Sequence, residues 1–180
     1  MKKKEWIYLK DLGEIVGGAT PKTSDPLLWD GNFKWITPAE LTESTYIITE
    51  SERHLTQMGV KSCSLQTLPK GTVLLTSRAP IGKVAIAGVD MFCNQGFKNI
   101  ICGKGLRAKY LCYLLKLNSR YLNDLGRGAT FKEISKSIVE KIAVPAPPLE
   151  VQDKFISFID QIDKSKLVLQ KALENLVGKV

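Results

Sequence analysis

From Phe155 to the C-terminal residue Val180, one set of side chains recurs in alternating steps of four and three: Phe155, Ile159, Ile162, Lys166, Leu169, Leu173, Leu176 and Val180. That is a heptad seam, apolar throughout except at Lys166, and it predicts one helix over residues 149–180. Such a helix is about 48 Å long at 1.5 Å per residue. A globule built from the rest of the chain is too small to cover the whole seam and Phe158 as well. The segment therefore reads as an arm that pairs with another helix, Lys166 costing stability but fixing register or orientation. It holds 5 acidic and 5 basic residues. With no net charge, its partner is expected to be protein rather than nucleic acid.

The arm follows Pro145-Ala146-Pro147-Pro148, a run that ends regular structure. The boundary divides a globule, residues 1–147, from a helical arm, 148–180. Within the globule, short β-branched and apolar runs predict strands near residues 6–9, 33–37, 45–49, 72–76, 83–87, 100–102 and 142–144. Leu106, Tyr110, Leu114, Leu117, Tyr121 and Leu125 recur at helical spacing and predict one helix over 106–125, closed by Gly126. The expected fold is a mixed α/β (α+β) domain with a small, mostly antiparallel or mixed sheet, followed by a long C-terminal coiled-coil helix.

Charge locates the expected partner of the globule. The whole chain of 180 residues carries a formal +8. The window 98–136 alone holds nine basic residues against Asp124 and Glu133, a net +7. A concentrated basic stretch outside the arm points to a polyanion, nucleic acid first.

Catalytic signatures fail when tested. Ser77-Arg78-Ala79-Pro80-Ile81-Gly82-Lys83-Val84 approaches a P-loop, but Ser77 replaces the first glycine and Val84 stands where a Ser or Thr must meet Mg²⁺. None of the 18 acidic residues has lysine two positions on, the spacing expected of many metal-dependent nucleases. The only histidine, His54, lies near Glu50 and Glu52 and reads as a surface residue. The 4 cysteines, at 63, 93, 102 and 112, form no CxxC pair, so neither a zinc site nor a disulfide framework is expected. Reduced, mostly buried thiols fit a cytoplasmic protein. No 18-residue apolar span or signal-peptide core is visible.

What remains is a set of glycine-bearing loops with basic and amide side chains: Gly17-Gly18-Ala19-Thr20-Pro21-Lys22, Ser77 to Lys83, Asn94-Gln95-Gly96-Phe97-Lys98, and Gly126 to Lys132. Glycine permits close approach to a phosphate, Arg and Lys pair with phosphate or guanine, and Asn or Gln with adenine. Lys22, Arg78, Lys83, Lys98, Arg127 and Lys132 are the expected phosphate or guanine contacts. Gln95 is the expected base-edge contact.

Six runs in order carry a family resemblance. They are Gly17 to Pro21, Trp35-Ile36-Thr37-Pro38-Ala39-Glu40-Leu41, Leu74 to Gly82, Asn94 to Lys98, Gly128-Ala129-Thr130-Phe131-Lys132-Glu133-Ile134-Ser135, and Val144 to Gln152. Together the chain resembles one half of the specificity (S) subunit of type I restriction–modification systems. The resemblance implies a target-recognition domain that reads one half of a bipartite double-stranded DNA site. It also implies a long helix that packs on its counterpart and docks methyltransferase (M) and restriction (R) subunits. A subunit of this kind is not an enzyme and binds no cofactor; S-adenosylmethionine, ATP and Mg²⁺ belong to its partners. A full S subunit has two recognition domains and two helical regions, and this chain has one of each. That fits a half-subunit that homodimerises through the seam, or an excised fragment. The competing readings are a small stand-alone DNA-modifying enzyme and a helix-mediated assembly protein that binds RNA or protein.

Overall fold

The computed structural model describes residues 6–42, 44–126 and 132–177. In chain order the elements are β1 (Trp6–Tyr8), α1 (Leu9–Leu12), β2 (Gly13–Gly17), β3 (Trp29–Ile36), β4 (Ile47–Ile48), β5 (Arg53–Leu55) and α2 (Gln57–Ser62). They continue as β6 (Val73–Leu75), β7 (Val84–Ala87), β8 (Phe92–Cys93), β9 (Lys98–Cys102), α3 (Ala108–Leu117), α4 (Ser119–Asp124), α5 (Lys136–Glu140), β10 (Ala143–Pro145) and α6 (Leu149–Val177). Short 3-10 turns at Pro26–Leu28 and Pro38–Glu40 flank β3.

The central sheet has the order β2-β9-β6-β7-β4, antiparallel except for the β4–β7 pair. Both of its faces are covered, which explains the unbroken apolar run Val73-Leu74-Leu75. Val73 and Leu75 point into one core with Leu111, Leu115 and Ile134, while Leu74 points into a second core with Ile36, Met91 and Phe97. The period-two alternation of a strand makes the division. Val84 and Ala85 repeat it on β7.

A separate three-stranded sheet, β5-β3-β8, carries its own small core of Leu28, Trp29, Trp35, Leu55 and Phe92. Arg53 lies on the Trp29 ring, 3.4 Å from its centroid, and Trp29 meets Trp35 edge to face at 5.0 Å. The β3–β5 register shifts between Trp29 and Phe33, where Asp30 takes φ 61°. β1 joins neither sheet; it pairs antiparallel with β10.

The fold is the expected mixed α/β class with small sheets and a long final helix, but several elements differ from expectation. The single helix expected over 106–125 is two. Asn118 donates its side-chain amide back to Leu114 O at 2.8 Å and its backbone N–H to Leu115 O, closing α3 one residue before α4 begins. A local polar bond of this kind competes with helix continuation. β2, β5, β8, α2 and α5 lie in stretches for which periodicity gave no prediction, and α1 takes over at Leu9, the last residue of an expected strand; all six are 6 residues or shorter.

All four cysteines are free thiols. Burial pushes Cys93 and Cys102 up to about 12 and Cys112 to about 11, which leaves them protonated and unreactive near neutral pH. Among the described residues no helix is long and apolar enough to cross a membrane.

Candidate nucleic-acid interface

Three of the glycine-bearing loops, far apart in sequence, meet at one end of the central sheet, together with Glu133 and Ile134 just past the fourth. Ser77 N–H donates to Gly96 O and Ile134 N–H to Ser77 O, each at 2.8 Å. Thr20 Oγ1 donates to Gln95 Oε1 at 2.6 Å, and Ala19 N–H to Cys93 O at 3.1 Å. Gly18 is required here, because a Cβ would stand 2.1 Å from Cys93 O and 2.4 Å from Asn94 O. The glycine allows two backbones to touch. Trp35 Nε1–H then donates to Ala19 O at 3.0 Å, which adds the Trp35–Leu41 run to the same frame.

Thr76, fully buried, shapes the Ser77–Lys83 loop. Its hydroxyl donates to Pro80 O at 2.7 Å and accepts from Lys83 N–H at 3.0 Å, while Gly82 N–H reaches Thr76 O at 3.1 Å. The Ala79–Pro80 peptide within it is cis.

One carboxylate ties the frame together. Glu133 accepts from Arg78 Nε at 3.0 Å and from Lys98 Nζ at 3.2 Å. Partial burial opposes its charge, but the bonds from Lys98 and Arg78 outweigh that and hold its carboxyl below the usual value of 4.5. Lys98 Nζ also reaches Ser77 Oγ at 3.4 Å and Gln95 O at 3.5 Å. Only 14% of its side chain is exposed, so Lys98 braces the loops from within.

The seven expected contact residues thus separate by role. Lys22, Gln95 and Lys132 are exposed, and Arg78 keeps half its side chain open beyond the bond to Glu133. Lys83 Nζ donates to Leu41 O at 2.6 Å and Lys98 faces Glu133; both stand partly covered. Arg127 lies outside the described residues, as do Gly128 to Phe131. Lys22, Arg78, Gln95 and Lys132 remain on the surface to meet a ligand.

The +7 window is less free than its sum implied. Arg107 pairs with Asp153 at 2.9 Å, and Lys109 pairs with Asp160, both acids on α6. Tyr113 Oη–H donates to Asp163 Oδ2 at 2.6 Å. Three acids of the arm, spaced by seven and three residues, thus face one side of α3. Sequence reasoning missed them because it counted the arm as neutral without asking which side its acids take. Their helical spacing was a usable signal.

Gln152, completely buried, fixes the foot of the arm. Its amide donates to Gly105 O at 2.9 Å and Pro147 O at 2.8 Å, and its Oε1 accepts from Arg107 N–H at 2.9 Å. Phe155 packs edge to face on Tyr110 with centroids 5.4 Å apart. Of the seam residues, Phe155, Ile159 and Ile162 are half-buried, whereas Lys166, Leu169, Leu173 and Leu176 are exposed. The seam therefore has two parts: its first turns pack on the globule, and its distal turns project uncovered.

Comparison with known proteins bears on both parts. The model of the type I restriction modification DNA specificity domain matches residues 1–178. The MjaIX type I restriction enzyme specificity subunit of Methanocaldococcus jannaschii is 43% identical over 181 residues, covering 96% of this chain and 42% of the relative. The HindI specificity subunit of Haemophilus influenzae is 25% identical over 178 residues, covering 95% and 37%. The HsdS subunit from Thermoanaerobacter tengcongensis superposes with a TM-score of 0.74 at 21% identity, over 93% of this chain and 39% of that one. A chain from a type I R-M system studied for complex assembly and conformational transition gives 0.75 at 22% identity, over 93% and 40%. This chain spans less than half the length of these relatives. By the extent of the family match, it belongs to the type I restriction modification DNA specificity domain family.

Proposed function

We propose that this chain reads one half of a bipartite DNA site for a type I restriction–modification assembly, with the globule (1–147) as reader and the arm (148–180) as spacer and dock. The observation that carries the reading is a family match over residues 1–178, which takes in globule and arm together. The joined loops support it, since Lys22, Arg78, Gln95 and Lys132 share the surface of one braced frame. Phosphate bonds from the cations set the position of the duplex, and the Gln95 amide reads a base edge.

Two copies pair through Leu169, Leu173 and Leu176, antiparallel, and present two globules to an inverted repeat. The M and R subunits dock on the paired arms. The chain itself performs no catalysis: S-adenosylmethionine, ATP and Mg²⁺ act in those partners, and the assembly works in the cytoplasm on duplex DNA. Selection of bound duplexes from a random pool, using the chain with its M subunit, tests the reading. An inverted repeat with a fixed spacer is the expected product. A pool that remains random, or a randomised duplex that competes equally with the selected one at moderate salt, removes the recognition role. Turnover of DNA by the pure chain supplied with Mg²⁺ and S-adenosylmethionine would replace it with an enzymatic one.

A further inference from the structure

A second basic feature lies against the Pro80–Lys83 part of the Ser77–Lys83 loop. It is a cleft of about 460 Å³ between the start of β7, the C-terminal end of α3 and the first turn of α4. That size falls in the range of about 300–1,000 Å³ usual for small-ligand sites. Lys83, Lys116 and Arg120 line it, with the polar side chains of Thr42, Ser119 and Asn123. No carboxylate belongs to the described lining, and none of the three cations forms an ion pair among the described residues.

The cleft is held in shape. Lys83 Nζ donates to Leu41 O and Lys116 Nζ to Thr45 O, both at 2.6 Å, so the two ammonium groups are fixed against the backbone at those two positions. Each ammonium has three donors, and those bonds use one apiece. Gly82, at φ +90°, seats the loop against α4, with Ser119 O 3.1 Å from where a Cβ would stand. A side chain at 82 would therefore meet both backbone strain and the α4 backbone at the cleft wall. Carbonyl capping accounts for the two lysines. It does not account for Arg120, which is exposed with its guanidinium unpaired among the described residues.

We propose that this cleft is a phosphate site and that it holds one backbone phosphate of the bound DNA. The reasoning is chemical: ammonium, guanidinium and hydroxyl donors lining one cleft with no balancing carboxylate among the described residues suit a multidentate anion, and charge-assisted bonds are the strong ones. The assignment of DNA as the source rests on the function proposed above. Because one loop carries Arg78 toward the braced frame and Lys83 toward the cleft, a phosphate held here sets the register of the duplex against the reading loops. The contact carries no sequence information of its own.

The test compares the full wild-type chain with Arg120→Glu, in titrations of a labelled random duplex and a selected duplex over a range of salt. The variant is expected to bind both more weakly and by the same factor, with the slope of log K against log salt smaller by about 1. Unchanged affinity and slope, with wild-type binding intact, overturn the site while leaving the DNA reading in place. If the wild type binds neither duplex, amide NMR shifts on adding inorganic phosphate decide the matter. Saturable shifts at Gly82, Lys83 and Ser119 that Arg120→Glu abolishes keep a phosphate site and remove DNA as its source. Absence of such shifts overturns the proposal.

Discussion

Gln152 does more for this fold than any ion pair at the same joint. Arg107 and Asp153 are each about half exposed, and pairs of that kind contribute about 0–1 kcal/mol. Gln152 lies at zero exposure with three backbone partners. Replacing it by Leu strands the Arg107 N–H and two carbonyls, and because these groups are only partly buried the cost is about 3 kcal/mol, the low end of roughly 1–3 for each unsatisfied buried group. Urea unfolding of Gln152→Leu against wild type measures that loss, and Asp153→Asn is expected to change stability by less than 1 kcal/mol. Glu133 acts differently, through pH. Its folded-state carboxyl is lowered, so its stabilisation is present above the usual value of 4.5 and disappears as pH falls through the depressed one. The melting temperatures of wild type and Glu133→Gln should therefore differ at neutral pH and converge in acid; a constant gap would mean that the charge is not what braces Arg78 and Lys98. Little of this was legible beforehand. The sequence places Gln152 and Glu133 inside family-like runs, but which backbone groups Gln152 satisfies and which cations Glu133 holds depends on segments about 45 and 35–55 positions away.

At the scale of elements, α6 shows why heptad periodicity read the arm correctly as a helix and only partly as a free one. Its 29 residues span about 44 Å, and among the described residues the last bond to the globule is Tyr113 to Asp163. From Lys164 onward about 20 Å of helix projects, with Leu169 69%, Leu173 62% and Leu176 70% exposed. Periodicity states that a face is apolar; it does not state which part of that face a neighbouring helix already covers. Leu169→Asp places a charge in the uncovered part and is expected to give a monomer by light scattering, with weak half-site binding left. A mass already monomeric in the wild type would remove the pairing. The α3–α4 break is the opposite case: Leu114, Leu117 and Tyr121 keep helical spacing across Asn118, and one side-chain amide overrides the period. Short elements such as α2 and α5 offer too few turns for any period to show. Their caps, Thr56 Oγ1 accepting from Gly59 N–H and Ser135 Oγ from Ile138 N–H, were the local cue.

For the molecule as a whole, the excess charge proves to be shared among three tasks. Lys98 braces loops, Arg107 and Lys109 hold the arm, and Lys116 and Arg120 line the cleft. A net charge counts these alike because summation discards direction. The pairing of β1 with β10 has a consequence of a different kind. Trp6 lies opposite Pro145, Ile7 opposite Val144 and Tyr8 opposite Ala143, and α6 begins at Leu149. The polypeptide thus enters and leaves the globule through the same doorway. Everything between those two strands is a closed loop of chain hung from the foot of the arm. A segment cut at that doorway can be exchanged for another of the same outline while the arm keeps its place.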